Sequence, residues 1–164
     1  MPHQAPPPSA SPDESPDAST EARRRLMAAL ATATPDRLAA ALAPFAPLPA
    51  HELVRAPETG LVMVRGRMGG TGAPFNLGEV TVTRCVVRLE NGIAGSSYVM
   101  GRSKQKALHA ALVDALWQSP ELTEAVEREI LAPLASEAEA ADATVRAETA
   151  ATKVDFFTMV RGDD

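Results

Sequence analysis

A glycine-rich segment, Met68-Gly69-Gly70-Thr71-Gly72, contains residue types that can bind an anion. Glycine lets the main chain approach a phosphate closely, so the backbone N–H groups around Gly69, Gly70 and Thr71 could cradle one. The segment lacks the Gly-Lys-Ser or Gly-Lys-Thr of a Walker loop, and Ala73-Pro74-Phe75 leads toward a strand rather than a helix. The alternative interpretation is a plain hairpin connection, because glycine clusters most often mark turns.

Arginines in strand-like surroundings form a second set of anion-binding candidates: Arg65, Arg67, Arg84 and Arg88. The alternation of side chains along a strand places Arg65 and Arg67 on one face, and likewise Arg84 and Arg88. If both faces met one cleft, the guanidinium groups would offer bidentate donors suited to phosphate oxygens. The alternative is a solvated sheet face that carries surface ion pairs.

Positive charge is also concentrated at the predicted start of a helix, in Gly101-Arg102-Ser103-Lys104-Gln105-Lys106. Ser103 is a suitable N-cap, and the N-terminal end of a helix is already positive because of the helix dipole. An anion or an acidic partner surface would relieve the unfavourable electrostatics at Arg102, Lys104 and Lys106. The alternative is that these long side chains simply point into water.

Histidine and cysteine give no support for a metal site or for catalysis by this chain. His3, His51 and His109 are isolated, no HxxxH or CxxC spacing occurs, and we predict His109 on a helix surface. Cys85, the single cysteine, lies among valines and is predicted to be an inert core thiol. We therefore predict no catalytic residue, no metal and no cofactor for this chain.

Length and composition favour a soluble protein with one core. The chain has 164 residues, of which 45% are hydrophobic, and its formal net charge of −5 lacks the basic field of a nucleic-acid binder. Charged residues interrupt every apolar stretch well before the ~20 residues that span a bilayer. The chain cannot form an internal disulfide, and its N-terminus lacks the features of a secretory signal. These features together predict the reducing cytoplasm.

The composition also divides the chain into a tail and a domain. Residues 1–20 are rich in proline and serine and nearly devoid of bulky apolar residues, which predicts a disordered tail. Residues 21–164 are predicted to form a single α+β domain. Its expected parts are N-terminal helices, an antiparallel β meander with a hairpin, C-terminal helices and a short terminal apolar segment.

The N-terminal helices are predicted from apolar spacing and capping residues. Order should start near Ala22, where Leu26 and Leu30 recur at helical spacing and Arg23, Arg24 and Arg25 occupy the opposite side. A second helix should follow Thr34, which is a suitable N-cap, with Pro35 at the first helical position.

The middle of the chain has the composition of strands. The predicted strands are Leu53–Ala56, Gly60–Met68, Glu79–Leu89 and Ile93–Met100. Asn91-Gly92 lies between the last two and predicts a type I′ hairpin turn, which requires positive φ at both residues. The strands should therefore form an antiparallel meander.

The last third of the chain returns to helical periodicity. One helix should run from about Gly101 to Trp117, a second should restart at Ser119, and a third with a weak apolar face should follow Pro133. That third helix should lie on the surface or against a partner. The chain then closes with a short apolar segment.

The terminal segment contains Phe156, Phe157, Met159 and Arg161, which are candidates for a partner interface. An exposed aromatic pair of this kind must be shielded from water by other apolar surface. Either it completes the protein's own sheet or it anchors a neighbouring chain, as aromatic residues do at the centres of interfaces.

Four segments taken together resemble one protein family. These are Glu58-Thr59-Gly60-Leu61-Val62, Arg67-Met68-Gly69-Gly70-Thr71-Gly72, Gly101-Arg102 with Lys104-Gln105, and Val154-Asp155-Phe156-Phe157-Thr158-Met159-Val160-Arg161-Gly162-Asp163. They resemble the PhnG family, whose members are the G subunit of the bacterial carbon–phosphorus lyase core complex. The resemblance extends from about Ala22 to the C-terminus.

The resemblance implies a non-catalytic or accessory subunit in the catabolism of organic phosphonates. In that family, an assembly with the H, I and J subunits and the accessory L subunit joins an alkylphosphonate to the ribose of ATP or GTP. The reaction releases the base and leaves a ribose 1-phosphonate 5-triphosphate. The implied role of this chain is to neutralise phosphate or to fasten a neighbouring subunit, through Arg67, Arg84, Arg88, Arg102, Lys104 and Lys106.

Two other functions remain open from the residues alone. One is an autonomous enzyme that acts on a phosphate-bearing ligand, and the other is a stand-alone phosphate-binding or regulatory module. An enzyme should turn over substrate by itself, a module should bind ligand as a stable monomer, and a subunit should need its partners.

Overall fold

The protein is represented by a computed structural model that describes residues 18–152. The elements in chain order are α1 (Ala18–Thr32), α2 (Pro35–Leu42), β1 (His51–Arg67), β2 (Pro74–Leu89), β3 (Ala94–Met100), α3 (Lys104–Gln118), α4 (Thr123–Val126) and α5 (Ala132–Ala151). Short 3₁₀ turns span Ala43–Phe45 and Met68–Gly70, and a π-helical turn spans Glu127–Leu131. This arrangement confirms the predicted α+β class, in which helices precede and follow an antiparallel sheet along the chain.

The N-terminal helices follow from the predicted signals, with an earlier start. Leu26 and Leu30 are buried in the core, as their spacing predicts. α1 begins at Ala18, four residues before the expected Ala22, so residues 18–20 are helical although they were assigned to the tail. Glu21 in the first turn favours this early start because a carboxylate stabilises the positive end of the helix.

α2 begins where its capping residues predict. The Thr34 hydroxyl accepts a hydrogen bond from the Arg37 backbone N–H at 3.2 Å, and Pro35 is the first helical residue. Leu38 and Leu42 are buried and join the core that α1 contributes to. The cap and the apolar stripe, both local features, therefore account for this helix.

The sheet has three antiparallel strands in the order β1-β2-β3. The two short strands predicted around Pro57 are one long strand, β1, whose register with β2 shifts between Leu53 and Arg55 and between Arg55 and Glu58. Proline cannot donate to the ladder, and a bulge in an edge strand accommodates it without ending the strand.

The β2–β3 connection differs from the predicted type I′ turn. Leu89 N–H donates to Ile93 O and Gly92 N–H donates to Leu89 O, both at 2.9 Å, which defines a three-residue loop. Only Gly92 has a positive φ, at 86°, whereas neither Glu90 nor Asn91 does. The predicted hairpin is present, but its turn is of the kind that ends in a glycine bulge, because one left-handed residue suffices for a three-residue loop.

α3 covers one face of the sheet and forms the centre of the core. Cys85, Val87 and Leu89 alternate along β2 and are buried on that face. The packing is closest at Gly95, where an added Cβ would lie 2.1 Å from the Ala111 carbonyl oxygen. Glycine at this strand position therefore lets α3 approach the backbone of β3.

The C-terminal helices are less separate than predicted. α4, the π-helical turn and α5 follow one another without a break from Thr123 to Ala151. The π turn ends two residues before Pro133, whose missing N–H and bulky ring disturb regular helical hydrogen bonding. Leu134 is the one fully buried residue of α5, and residues 136–152 are exposed. The predicted terminal apolar segment lies outside the described residues.

Candidate functional site

The sheet continues past the end of β3 as a two-stranded hairpin, which we call the β-arm (residues 61–80). β1 and β2 pair from Gly60 with Val82 as far as Arg67 with Pro74, whereas β3 pairs only with Val82–Arg88. Within residues 18–152, no third strand pairs with the β-arm. A two-stranded hairpin alone is marginally stable in water, so the β-arm is the part of the sheet that most needs another surface.

One face of the β-arm continues the face of the sheet that α3 covers. Thr59 and Thr83 share that face, because their hydroxyl oxygens are 3.0 Å apart and the Thr83 hydroxyl also donates to Gly101 O, just before α3. Alternation along β1 then places four further side chains on the same face. These are Leu61, Met63, Arg65 and Arg67, which we call the arm inner face; all four are exposed.

The turn of the β-arm has the geometry of a hairpin connection. Gly69 and Gly70 have φ values of 61° and 79°, which favour glycine. The N–H groups of Thr71 and Gly72 donate to the carbonyl of Met68, and Arg67 Nη1 donates to Gly72 O at 3.0 Å. Two of the backbone donors that could cradle a phosphate are therefore engaged within the turn.

Positive charge at the tip of the β-arm is not neutralised by neighbouring residues. Arg65 and Arg67 have no carboxylate within 4.0 Å in the part of the chain that the structure describes. The β-arm contains one acidic residue, Glu79, which pairs with Met63 across the strands, although the chain as a whole has a net charge of −5. Both arginines line an open depression of about 500 Å³ beside Gly70 and Pro74.

Arg84 and Arg88 lie on the opposite face of β2 and are already paired. Arg84 forms an ion pair with Glu58, and Arg88 Nη1 donates to Glu52 Oε1 at 2.9 Å. Hydrogen bonds from Arg55 and then from Arg84 lower the pKa of Glu58. Ten residues of β2 separate Arg84 from Pro74, the partner of Arg67, or roughly 33 Å of strand. The structure thus does not bring the two arginine pairs into one cleft.

The start of α3 adjoins the base of the β-arm. Gly101 N–H donates to Thr81 O at 2.9 Å, and the Ser103 hydroxyl accepts from Lys106 N–H at 3.2 Å, which confirms Ser103 as the N-cap. Arg102 and Lys104 are exposed there and have no ion pair within residues 18–152. Two exposed cations therefore stand at the base of the β-arm and two more toward its tip.

Lys106 points away from this surface into the protein. It is 7% exposed, and its Nζ donates to the carbonyl of Ala31 at the end of α1, at 2.6 Å. Burial lowers the pKa of this ammonium group. Lys106 thus satisfies a free carbonyl at a helix C-terminus and links α1 to α3. The candidate interface residues Phe156, Phe157, Met159 and Arg161 lie outside the described residues.

An ion pair between a half-buried arginine and a fully buried aspartate was missed by the sequence analysis. Asp114 in α3 is fully buried, and its carboxylate accepts from Arg23 Nε at 2.9 Å, Arg23 Nη2 at 2.7 Å and Ser96 N–H at 2.8 Å. The hydrogen bonds to Asp114 raise the pKa of Arg23. Arg23 therefore joins α1 to α3 and does not share the solvent side with Arg24. The available signal was an aspartate within the apolar run Ala110–Leu116.

The structure contradicts the prediction made for His109 and confirms the one made for Cys85. His109 was predicted on a helix surface, which is wrong: it is half-buried, its Nδ1 is buried without a described partner, and burial lowers its pKa. His109 lies on a part of α3 that partly faces the interior. Cys85 is fully buried, as predicted, and burial raises the pKa of its thiol.

A larger cavity of about 840 Å³ lies between α1 and the end of α3. Arg23, Met27 and Trp117 line it, and Trp117 Nε1 donates to Glu127 Oε1 at 3.2 Å. No cluster of three or more potential metal-binding His, Cys, Asp or Glu side chains occurs in residues 18–152. None of the helices in this described range is long and apolar enough to cross a bilayer.

The fold and the site define an α+β protein with helices against a three-stranded sheet and an exposed, cationic β-arm. The chain belongs to the phosphonate metabolism protein PhnG family, whose model matches residues 21–162. This finding confirms the resemblance seen in the sequence and identifies the chain as a protein of phosphonate metabolism.

The comparison with a curated relative covers nearly the whole chain. An alpha-D-ribose 1-methylphosphonate 5-triphosphate synthase subunit PhnG from Rhizobium meliloti (strain 1021) is 49% identical over 142 residues. The match spans 87% of this chain and 90% of the relative. The described residues, including the β-arm and α3, lie almost entirely within the region that the family model matches.

Proposed function

We propose that this chain is an accessory subunit of an alpha-D-ribose 1-methylphosphonate 5-triphosphate synthase. The observation that supports this most strongly is the 49% identity to a subunit of that name over 87% of the chain. The assembly would join an alkylphosphonate to the ribose of ATP or GTP and release the base. This chain would bind no cofactor of its own and would act in the cytoplasm.

Its partners would be the H, I and J subunits of the carbon–phosphorus lyase core complex, with the accessory L subunit needed for the reaction. The structure supports a role in assembly because a β-arm with exposed Leu61 and Leu77, 63% and 66% accessible, leaves apolar surface in water. The contact candidates are the β-arm residues Arg67, Gly69, Gly70 and Thr71 and the α3 residues Arg102 and Lys104.

Displacement at the anomeric carbon of a nucleoside triphosphate requires a positioned nucleophile and neutralisation of the phosphates. The exposed cations of this chain can supply the second requirement or can hold a neighbouring subunit. Arg84 and Arg88 are poorer candidates for either role because Glu58 and Glu52 already neutralise them. Lys106 is a poorer candidate because it is buried against Ala31.

Reconstitution tests the proposed function. The chain is co-expressed with the H, I and J subunits, and the purified assembly is mixed with the L subunit, ATP and methylphosphonate. Release of adenine is followed by chromatography and the phosphonate ester by ³¹P NMR. We expect product from the complete assembly and none from this chain alone or from a preparation that omits it. Full activity without this chain would contradict the proposal, as would turnover by this chain alone.

A charge reversal at the start of α3 tests the role of the exposed cations there. The variant Arg102→Glu/Lys104→Glu should weaken assembly or lower turnover, since both side chains are exposed and neither stabilises the fold through an ion pair in the described residues. Unchanged assembly together with unchanged turnover would remove these two residues from the proposed site. A stable monomer that binds ATP without the other subunits would instead favour the binding-module function.

A further inference from the structure

We propose that the arm inner face docks on an apolar groove bordered by carboxylates on another subunit of the assembly. This inference rests on the proposed function and names the surface that makes the contact. The occupant is a folded protein partner, and the contact surface consists of Leu61, Met63, Arg65 and Arg67 with Arg102 and Lys104 at the base of the β-arm.

The first argument is that the arm inner face continues a core face and that no other element of residues 18–152 covers it. Thr83 is fully buried where α3 begins, and the same face of the sheet continues outward to Leu61 and Met63. These two side chains are 63% and 51% exposed, because α3 starts at Lys104 and extends away from the β-arm. Apolar side chains that continue a buried face fit a second protein surface that extends the cover of α3.

The second argument is the order of side chains along β1. The positions of the arm inner face change from apolar at Leu61 and Met63 to cationic at Arg65 and Arg67, while the alternate positions Val62 and Val64 are half-buried on the opposite face. A matching partner therefore presents an apolar surface near α3 and carboxylates toward the tip of the β-arm. Arginine suits such an interface because it pairs with carboxylates bidentately.

The third argument is charge. Arg65, Arg67, Arg102 and Lys104 have no carboxylate within 4.0 Å in residues 18–152. The β-arm itself contains one acidic residue, the exposed Glu79, which pairs with Met63 across the two strands, so four cations face one carboxylate. The surface is therefore locally positive on a chain whose net charge is −5. A free polyphosphate would satisfy the cations but would leave Leu61 and Met63 in water, whereas an acidic-rimmed protein groove satisfies both.

The experiment uses the full chain with an affinity tag, co-expressed with the H, I and J subunits. One variant is Leu61→Ser/Met63→Ser and a second is Arg65→Glu/Arg67→Glu. The matched control is Val145→Ser/Arg146→Glu on α5, which likewise changes an apolar side chain, 60% exposed, and an exposed arginine. Circular dichroism of each purified variant shows whether it retains the wild-type helix content. Dissociation constants for the partner subunits are measured by biolayer interferometry.

We expect each β-arm variant to bind its partners about tenfold more weakly or worse, with the control within about threefold of wild type. The affinity of the wild type should decrease as the salt concentration is raised from about 50 to about 500 mM. The Arg65→Glu/Arg67→Glu variant should show a weaker salt dependence, because only Arg102 and Lys104 of the contact surface then remain cationic. If the wild type assembles and both folded β-arm variants assemble equally well, this inference is overturned while the subunit assignment stands.

Three other outcomes also decide against the inference. If the wild type recovers none of the three subunits, the proposed function fails and the docking inference fails with it. If the wild type alone is a dimer by light scattering and Leu61→Ser/Met63→Ser makes it monomeric without affecting the other subunits, the occupant is a second copy of this chain. An equal loss of binding in the α5 control would show that the effect is not specific to the β-arm.

Discussion

Arg23 should be the arginine of α1 on which the stability of the fold depends most. Its guanidinium group makes two hydrogen bonds, of 2.9 and 2.7 Å, to the carboxylate of Asp114, whose side chain is completely buried. In Arg23→Met the aliphatic stem is retained, but the carboxylate keeps only the N–H of Ser96. The free energy of unfolding should fall because a buried charge loses its counterion.

The size of the loss follows from the exposure of the two partners. Removing one partner of a fully buried pair costs about 3–5 kcal/mol, whereas a surface pair is worth about 0–1 kcal/mol. Arg23 is 39% exposed, so water can partly replace it, and we expect a loss of about 2–3 kcal/mol. The neighbouring change Arg24→Met is the control, because Arg24 is 63% exposed and pairs only with Glu21; it should cost less than about 0.5 kcal/mol.

Urea unfolding followed by circular dichroism measures both variants, with unchanged m-values required for the comparison. A double-mutant cycle with Asp114→Asn should give a coupling energy of about 1 kcal/mol or more, because the two side chains are in direct contact. The reasoning is refuted if Arg23→Met costs no more than Arg24→Met, or if the effects of Arg23→Met and Asp114→Asn simply add.

Two further predictions concern the packing and protonation of α3. Gly95→Ala should destabilise the protein by about 3 kcal/mol or more, because the added Cβ would lie 2.1 Å from Ala111 O. Gly60→Ala is the strand control, because a Cβ added there would have no atom within 4 Å. Equal unfolding midpoints for the two variants would contradict the prediction. Burial lowers the pKa of His109, so the unfolded state binds the proton more readily and stability should decline as the pH falls below about 6.5. His109→Leu should flatten that decline in urea titrations, and a wild-type slope in the variant would show that another group is responsible.

The helices and strands could be predicted because their signals are local. Thr34, Pro35 and Ser103 cap or open helices through contacts with residues three positions away, and these contacts are present. One error concerned the turn type at Asn91-Gly92, where a three-residue loop replaces the predicted two-residue turn. The predicted break between the strands Leu53–Ala56 and Gly60–Met68 was also wrong, because a bulge lets β1 continue through Pro57.

The candidate site was only partly predictable because charge alone does not tell where a side chain points. Arg65 and Arg67 share a face as alternation requires, and so do Arg84 and Arg88, but the carboxylates that neutralise the second pair come from β1. Their partners depend on cross-strand register, which no short sequence motif encodes. The exposed pair and the neutralised pair therefore looked equivalent in the sequence.

The amino-acid sequence by itself determined the family, the α+β class, the helix caps and the apolar faces, because each depends on residue types at short spacing. The tertiary structure alone decided which cations are buried, paired or exposed. Arg23 meets Asp114 across 91 positions and Lys106 meets Ala31 across 75, so neither contact exists until α1 and α3 pack together. The same packing leaves the β-arm beyond the start of α3, where no other element of residues 18–152 covers its apolar and cationic side chains.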